Sequence, residues 1–303
     1  MAPFPSELLA TLTPLAVQHD SLAIPAHRNI VALAAARFEK PHWVVTPEQA
    51  AAASAPTRGS GGARFRGAAI AVETVDPQFA LTEGLIINGP FRIGARDAQG
   101  AGLLPVEHDI YVLPDADEAT VAALREWAMA VARHCWGAVI QSSGNVLRPD
   151  PESLVDLRLY SPDPQPNEVV ATALRPVLPQ IQPFQDRDGS EALYMQLEYD
   201  GTIVIRRYRA SRELPPALST VDWREFGPHV YEVSWIPPAP EELDNPSPSA
   251  LHLIARRRAS QLVARAATVL REQYDGTVLD FEDFMVRPAD LKARTQGKYT
   301  GLA

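Results

Sequence analysis

Three observations predict an α+β fold: two tandem copies of a β-α-β-β-β-α-β-β unit, each an antiparallel sheet with helices on one face. A stretch near the middle, ALREWAMAVARHCWGAVIQSSGNVLRPDPESL, returns near the end as ARRRASQLVARAATVLREQYDGTVLDFEDFMVRPADL. Apolar residues inside both stretches follow the spacing of a helix and then of short strands. The 303 residues suffice for two domains, and a 46% hydrophobic content suffices to give each a core.

The repeat is read first, because missing one misreads the whole fold. At a constant offset of 139 residues Gly137 falls on Gly276, Ala128 on Ala267, Val139 on Val278, Arg148 on Arg287 and Pro149 on Pro288. Apolar character matches at Leu124/Val263, Val131/Leu270, Ile140/Leu279, Val146/Met285 and Leu147/Val286.

In chain order, residues 1–25 read as an N-terminal arm, 26–153 as the first unit and 154–303 as the second, with 292–303 a peripheral tail. The first unit opens with a strand in NIVALAAARF, a turn at Pro41 and a helix in TPEQAAAAS. A loop at 54–66 follows, then a hairpin of GAAIAVETVD with GLIINGPFRIG and a strand in HDIYVLP. Leu124, Trp127, Ala128 and Val131 then form the apolar stripe of a helix. Gly137 is placed where a helix stops in the left-handed conformation, and AVIQ and VLR read as strands that Pro149 ends. The second unit repeats the order: a strand in LVDLRLYS, prolines 162–166, a helix in NEVVATALRPVL, then a hairpin turning at Asp200-Gly201. A strand in HVYEVSWIPP, a long helix stopped at Gly276, and the strands TVLD and MVR complete it.

The net charge of −9 leaves neither part with a basic excess, which argues against nucleic acid. No apolar run nears 18 residues, so no membrane-spanning helix and no membrane insertion is expected. A lone Cys135 and an N-terminus without a signal-peptide pattern lead to the expectation of a cytoplasmic protein. The seven histidines show no metal spacing, and Cys135 lies at a helix end rather than a helix start. The acidic turn DFEDF offers Asp280, Glu282 and Asp283, but lacks the glycine and distal glutamate of a calcium loop. Gly59-Ser60-Gly61-Gly62 precedes no helix and reads as a loop. Catalytic residues, metal and cofactors are all expected to be none.

Candidate partner contacts fall in the second unit. Arg206, Arg207, Arg209 and Arg212 lie in or after one strand and Arg256, Arg257 and Arg258 in one helix; clustered, they suit an acidic partner, and dispersed, they are a solvated face. Trp235, Phe281, Phe284 and Met285 are core or partner-facing anchors. At GTVLDFEDFMVRPADL the sequence resembles the C-terminal, FtsZ-binding domain of the bacterial division protein ZipA, through Gly276, Val278, Leu279, Asp280, Met285, Pro288 and Leu291. The first copy keeps Gly137, Val139 and Pro149 but has Gln141 where that family has the acid.

The resemblance, carried mainly by 154–291, implies a non-catalytic sheet surface that takes a short partner segment. The leading expectation is therefore a protein-binding adaptor of division or envelope organisation, binding FtsZ or an acidic peptide tail on the face opposite the helices. Arg206, Arg207, Arg209, Trp235, Phe281 and Met285 are its expected contacts. Two alternatives stand beside it: an immunity-type protein that neutralises a specific toxin, and an enzyme with a site in the cleft between copies.

Overall fold

The computed structural model describes residues 4, 6–54, 75–185, 189–210, 214–243, 245 and 247–297. Its chain divides into two compact units, one of residues 1–34 and 38–149 and one of residues 35–37 and 150–303. The first contains α1 (Ser6–Leu12), α2 (Leu15–Gln18), β1 (Ser21–Pro25), α3 (Ile30–Ala34), β2 (His42–Val45) and α4 (Pro47–Ala53). These are followed by β3 (Gln78–Thr82), β4 (Leu85–Ile93), α5 (Ala95–Gly100), β5 (His108–Val112), α6 (Glu118–Cys135), β6 (Ala138–Ile140) and β7 (Val146–Leu147). The second contains β8 (Leu157–Ser161), α7 (Asn167–Leu174), β9 (Gln182–Gln185), β10 (Glu191–Leu197), β11 (Gly201–Arg209), β12 (His229–Ile236), α8 (Ala250–Tyr274), β13 (Thr277–Asp280) and α9 (Pro288–Thr295). The fold is α+β, and every strand pairing among the described residues is antiparallel.

The first sheet runs β2-β3-β4-β5-β1-β6-β7, and the second, read from β9, runs β9-β10-β11-β12-β8-β13. In both, the first strand of the unit sits in the interior of the sheet and the second at an edge. Where the first unit has β7, the second has a single bridge between Leu279 and Met285.

Several elements depart from the sequence reading. NIVALAAARF is α3, not a strand: Asn29 Oδ1 accepts the Val31 N–H at 2.9 Å, and the alanine-rich run that follows favours helix. The opening strand lies upstream at Ser21–Pro25, inside the segment expected to be an arm. Of the hairpin placed at GAAIAVETVD, residues 67–74 lie outside the described residues, as do 55–66 of the expected loop with its Gly59–Gly62 run. The partner of β4 is Gln78–Thr82 instead. In the second unit α9 occupies part of the expected tail, and Leu291 is buried in the core.

Helices on one face holds for the second unit and fails for the first. Alternation places Ala23, Ile110 and Ala138 on one face of the first sheet. There they pack with Phe4, Leu9, Ala16 and, from α5, Ala98. The opposite face, with Leu22, Tyr111 and Val139, meets α6, whose Trp127 donates to the Leu33 carbonyl at 3.4 Å. Phe4 and residues 6–18 thus belong to a layer of the first unit, drawn in by apolar side chains that solvent would reject. In the second unit Leu157, Leu159, Leu193, Met195, Ile203, Ile205, Tyr231, Val233 and Val278 share the face on which α7, α8 and α9 pack.

Both glycines of the repeat follow a non-glycine residue with positive φ: Trp136 at φ 60° and Asp275 at φ 50°. A Cβ on Gly137 would lie 2.3 Å from the Ala23 carbonyl oxygen, and one on Gly276 would lie 2.4 Å from that of Tyr160. Close approach to the interior strand, β1 or β8, therefore demands glycine here. The expectation of a left-handed stop at the glycine is corrected by one residue.

Candidate functional site

In the second unit, β8 and β9 point the same way, because an even number of antiparallel steps separates them in the sheet. The helix that joins them, α7, therefore runs against β9, with its start beside the end of β9. Between α7 and this edge lies a groove of about 560 Å³. One wall is the helix stripe Glu168, Ala171, Thr172 and Arg175; the floor is Ile181 and Leu193; the far wall is Pro183 and Gln185 of β9. Pro183 has no N–H for a ladder, which suits a strand with one unpaired edge. A groove of this volume, with an apolar floor under a largely polar rim, has the size of a ligand site.

The rim is charged in a definite order. Glu168 in the first turn of α7 and Glu191, in register with Gln185, stand at one end. Arg175, at the C-cap, stands at the other. All three are exposed, and none makes an ion pair with a described residue.

The residues expected to contact a partner are placed elsewhere. Arg206 and Arg207 project to opposite faces of β11, as successive strand residues must. Arg206 stands 3.8 Å from Glu232 Oε1, whereas Arg207 donates to the Gln165 carbonyl near the start of α7. Arg209, at the exposed end of β11, shares the face of Arg207, so the three do not form one basic patch. Trp235 is not surface-facing: it is 4% exposed, its Nε1 donates to the Asp200 carbonyl at 2.6 Å, and its ring packs on His252. Phe281 is 54% exposed beneath the Arg158 guanidinium, and Met285 is half-buried in its bridge to Leu279. Phe284 is core. Arg256, Arg257 and Arg258 pair with Asp150, Glu152 and Asp200 respectively, so each faces a carboxylate within its own unit. Arg212 lies outside the described residues.

On the face of the second sheet opposite the helices, Arg158, Glu232 and Arg206 are adjacent across β8, β12 and β11. Glu232 accepts from the Tyr208 hydroxyl at 3.2 Å and from Ser234 Oγ at 3.1 Å. Beside them Asp156 accepts the Trp235 N–H at 2.8 Å, and burial pushes its carboxyl up to about 6. A raised acid pKa means the folded state holds a proton that the unfolded chain releases, so this group stabilises below its ordinary value of 3.8 and loses that contribution as pH rises through about 6. Chemical denaturation of Asp156→Asn should therefore show the variant gaining about 2 kcal/mol on wild type between pH 4 and pH 7. Parallel stability curves for the two proteins over that range would refute the assignment.

Cys135 and the His19–Asp20 pocket of the first unit are satisfied from within. The thiol of Cys135 is fully buried, donates to the Val131 carbonyl at 2.9 Å, and is pushed up to about 12 by desolvation. In the first unit a pocket of about 180 Å³ has His19 and Asp20 in its wall. Its groups satisfy one another: His19 meets Asp115 at 3.1 Å, while Asp20 accepts from Arg125 at 2.8 Å and from the Ser142 N–H at 3.0 Å. Among the described residues no group of three His, Cys, Asp or Glu side chains is arranged to hold a metal, and no helix is long and apolar enough to cross a membrane. The acidic run at 280–284 is a turn closed on itself, with Asp280 Oδ1 accepting the N–H groups of Glu282 and Phe284.

The sequence reading missed Glu168, Arg175 and Glu191. Their signal was faint: a polar helix stripe at 168, 172 and 175, and a proline within a short strand. No protein-family model, no curated protein and no solved structure matches the chain.

Proposed function

We propose that this chain is a non-catalytic binding module that takes an extended segment of a partner protein in the groove between α7 and β9. The observation that carries the reading is the groove itself, walled by a helix on one side and an edge strand on the other. Such a site lets an extended peptide lie along the helix wall while its alternate side chains enter the space between helix and strand. The resemblance of 154–291 to the FtsZ-binding domain of ZipA supports the same class of activity. It also makes FtsZ the first partner to test, in an adaptor of division or envelope organisation. The shared strand order supports reading the chain as two copies of one unit.

A photoreactive side chain at Gln185 in the full chain, exposed in native lysate, tests this. Labelling of one partner is expected there, none from the same group at exposed Tyr199, and loss of the Gln185 product in Thr172→Trp. Thr172 is exposed on the groove wall, so a bulky ring there fills the space without entering the core. Labelling indifferent to that ring, or equal at both positions, would remove the groove from consideration. A toxin as the captured protein would make neutralisation the purpose of the binding.

A further inference from the structure

We infer that the groove selects its segment by charge order, accepting a cation at the Glu168 and Glu191 end and a carboxylate at the Arg175 end; this rests on the reading above. The first support is placement. Because α7 runs against β9, the two glutamates share one end of the groove, and Arg175, the one cation of its lining among the described residues, lies at the other.

The second support is that these three charges have no ion-pair partner among the described residues, whereas Arg256, Arg257 and Arg258 each have one. Exposed charges without an ion-pair partner contribute little to the fold and are free to fix the orientation and register of a ligand.

The distances set the spacing. Glu168 and Arg175 are separated by seven helical steps, about 10 Å along the axis at roughly 1.5 Å each. An extended chain presents every second side chain to one face and advances about 3.3 Å per residue, so side chains at i and i+4 lie about 13 Å apart. Long side chains close the difference. The occupant is therefore a partner segment with opposite charges four residues apart and an apolar residue midway, over Ile181 and Leu193.

Affinity selection of randomised heptapeptides on the full chain tests this, run in parallel on wild type, on Thr172→Trp and on the combined reversal Glu168→Lys, Glu191→Lys, Arg175→Glu. All four positions are exposed, so folding is expected to survive, as circular dichroism would verify. Wild type is expected to enrich segments with opposite charges at i and i+4 in one order. The reversal should enrich the opposite order, with each winner at least tenfold weaker on the other protein, and Thr172→Trp should retain neither. Groove-dependent peptides with no charge pattern, or the same order from both proteins, would overturn the charge rule and leave the binding reading standing. Absence of any peptide that depends on an open groove would remove both.

Discussion

Gly276→Ala is expected to destabilise the second unit by about 4 kcal/mol, and Gly137→Ala the first by about 2–3 kcal/mol, both read as shifts in denaturant midpoint. At Gly276 two costs combine. Its φ of +129° is one that side-chain-bearing residues rarely adopt, and the added Cβ would meet the Tyr160 carbonyl oxygen at 2.4 Å and Leu159 Cδ1 at 2.9 Å. Only the second contact could yield by rotation of a side chain; the first is backbone of an interior strand. Gly137 lacks the φ penalty but meets the Ala23 carbonyl oxygen at 2.3 Å. Its smaller expected loss separates steric clash from backbone strain. An alanine tolerated at either site with less than about 1 kcal/mol lost would mean that the helix end lies farther from its strand.

Asp280→Ala is expected to cost about 3 kcal/mol, and Asp280→Asn less than half of that. The side chain is fully buried, and its Oδ1 accepts two backbone N–H groups, from Glu282 and Phe284, each at 3.0 Å. Alanine strands both donors where water does not reach, whereas asparagine keeps a carbonyl oxygen in the same place. Thermal or chemical denaturation of the three proteins gives the order, and equal losses in the two variants would mean that the charge, not the acceptor geometry, closes the turn. Calcium or magnesium should leave the stability of all three unchanged.

The sequence was most legible where a pattern runs long. The stripe of Leu124, Trp127, Ala128 and Val131 spans enough turns to be read only as α6, and β10 and β11 alternate over enough residues to be read only as a hairpin. Short apolar runs misled. NIVALAAARF suits a buried strand or a buried helix by hydropathy, and its alanines and the asparagine that caps it settle the matter. The basic run of β11 is compatible with a patch or a dispersed face by its letters alone, and the strand decides it by sending Arg206 and Arg207 to opposite faces.

The groove was illegible for a different reason. Glu168 and Glu191 belong to elements separated by a turn and a strand, and only the direction of α7 relative to β9 brings them to one end. The local hints are the polar stripe of α7 and Pro183, since proline within a strand marks an edge.

The placement of β1 and β8 has a consequence for how the chain is made. Leu22 leaves the ribosome long before Tyr111 and Val139, the two residues that flank it in the finished sheet. Leu159 likewise waits for Tyr231 and Val278. The local hairpins β3–β4 and β10–β11 close over short turns and can form as they emerge, but neither sheet is whole until the strand after its long helix has been synthesised. The earliest strand of each unit is therefore among the last to be enclosed, and a nascent chain halted before Ala138 or Thr277 exposes one full edge of it.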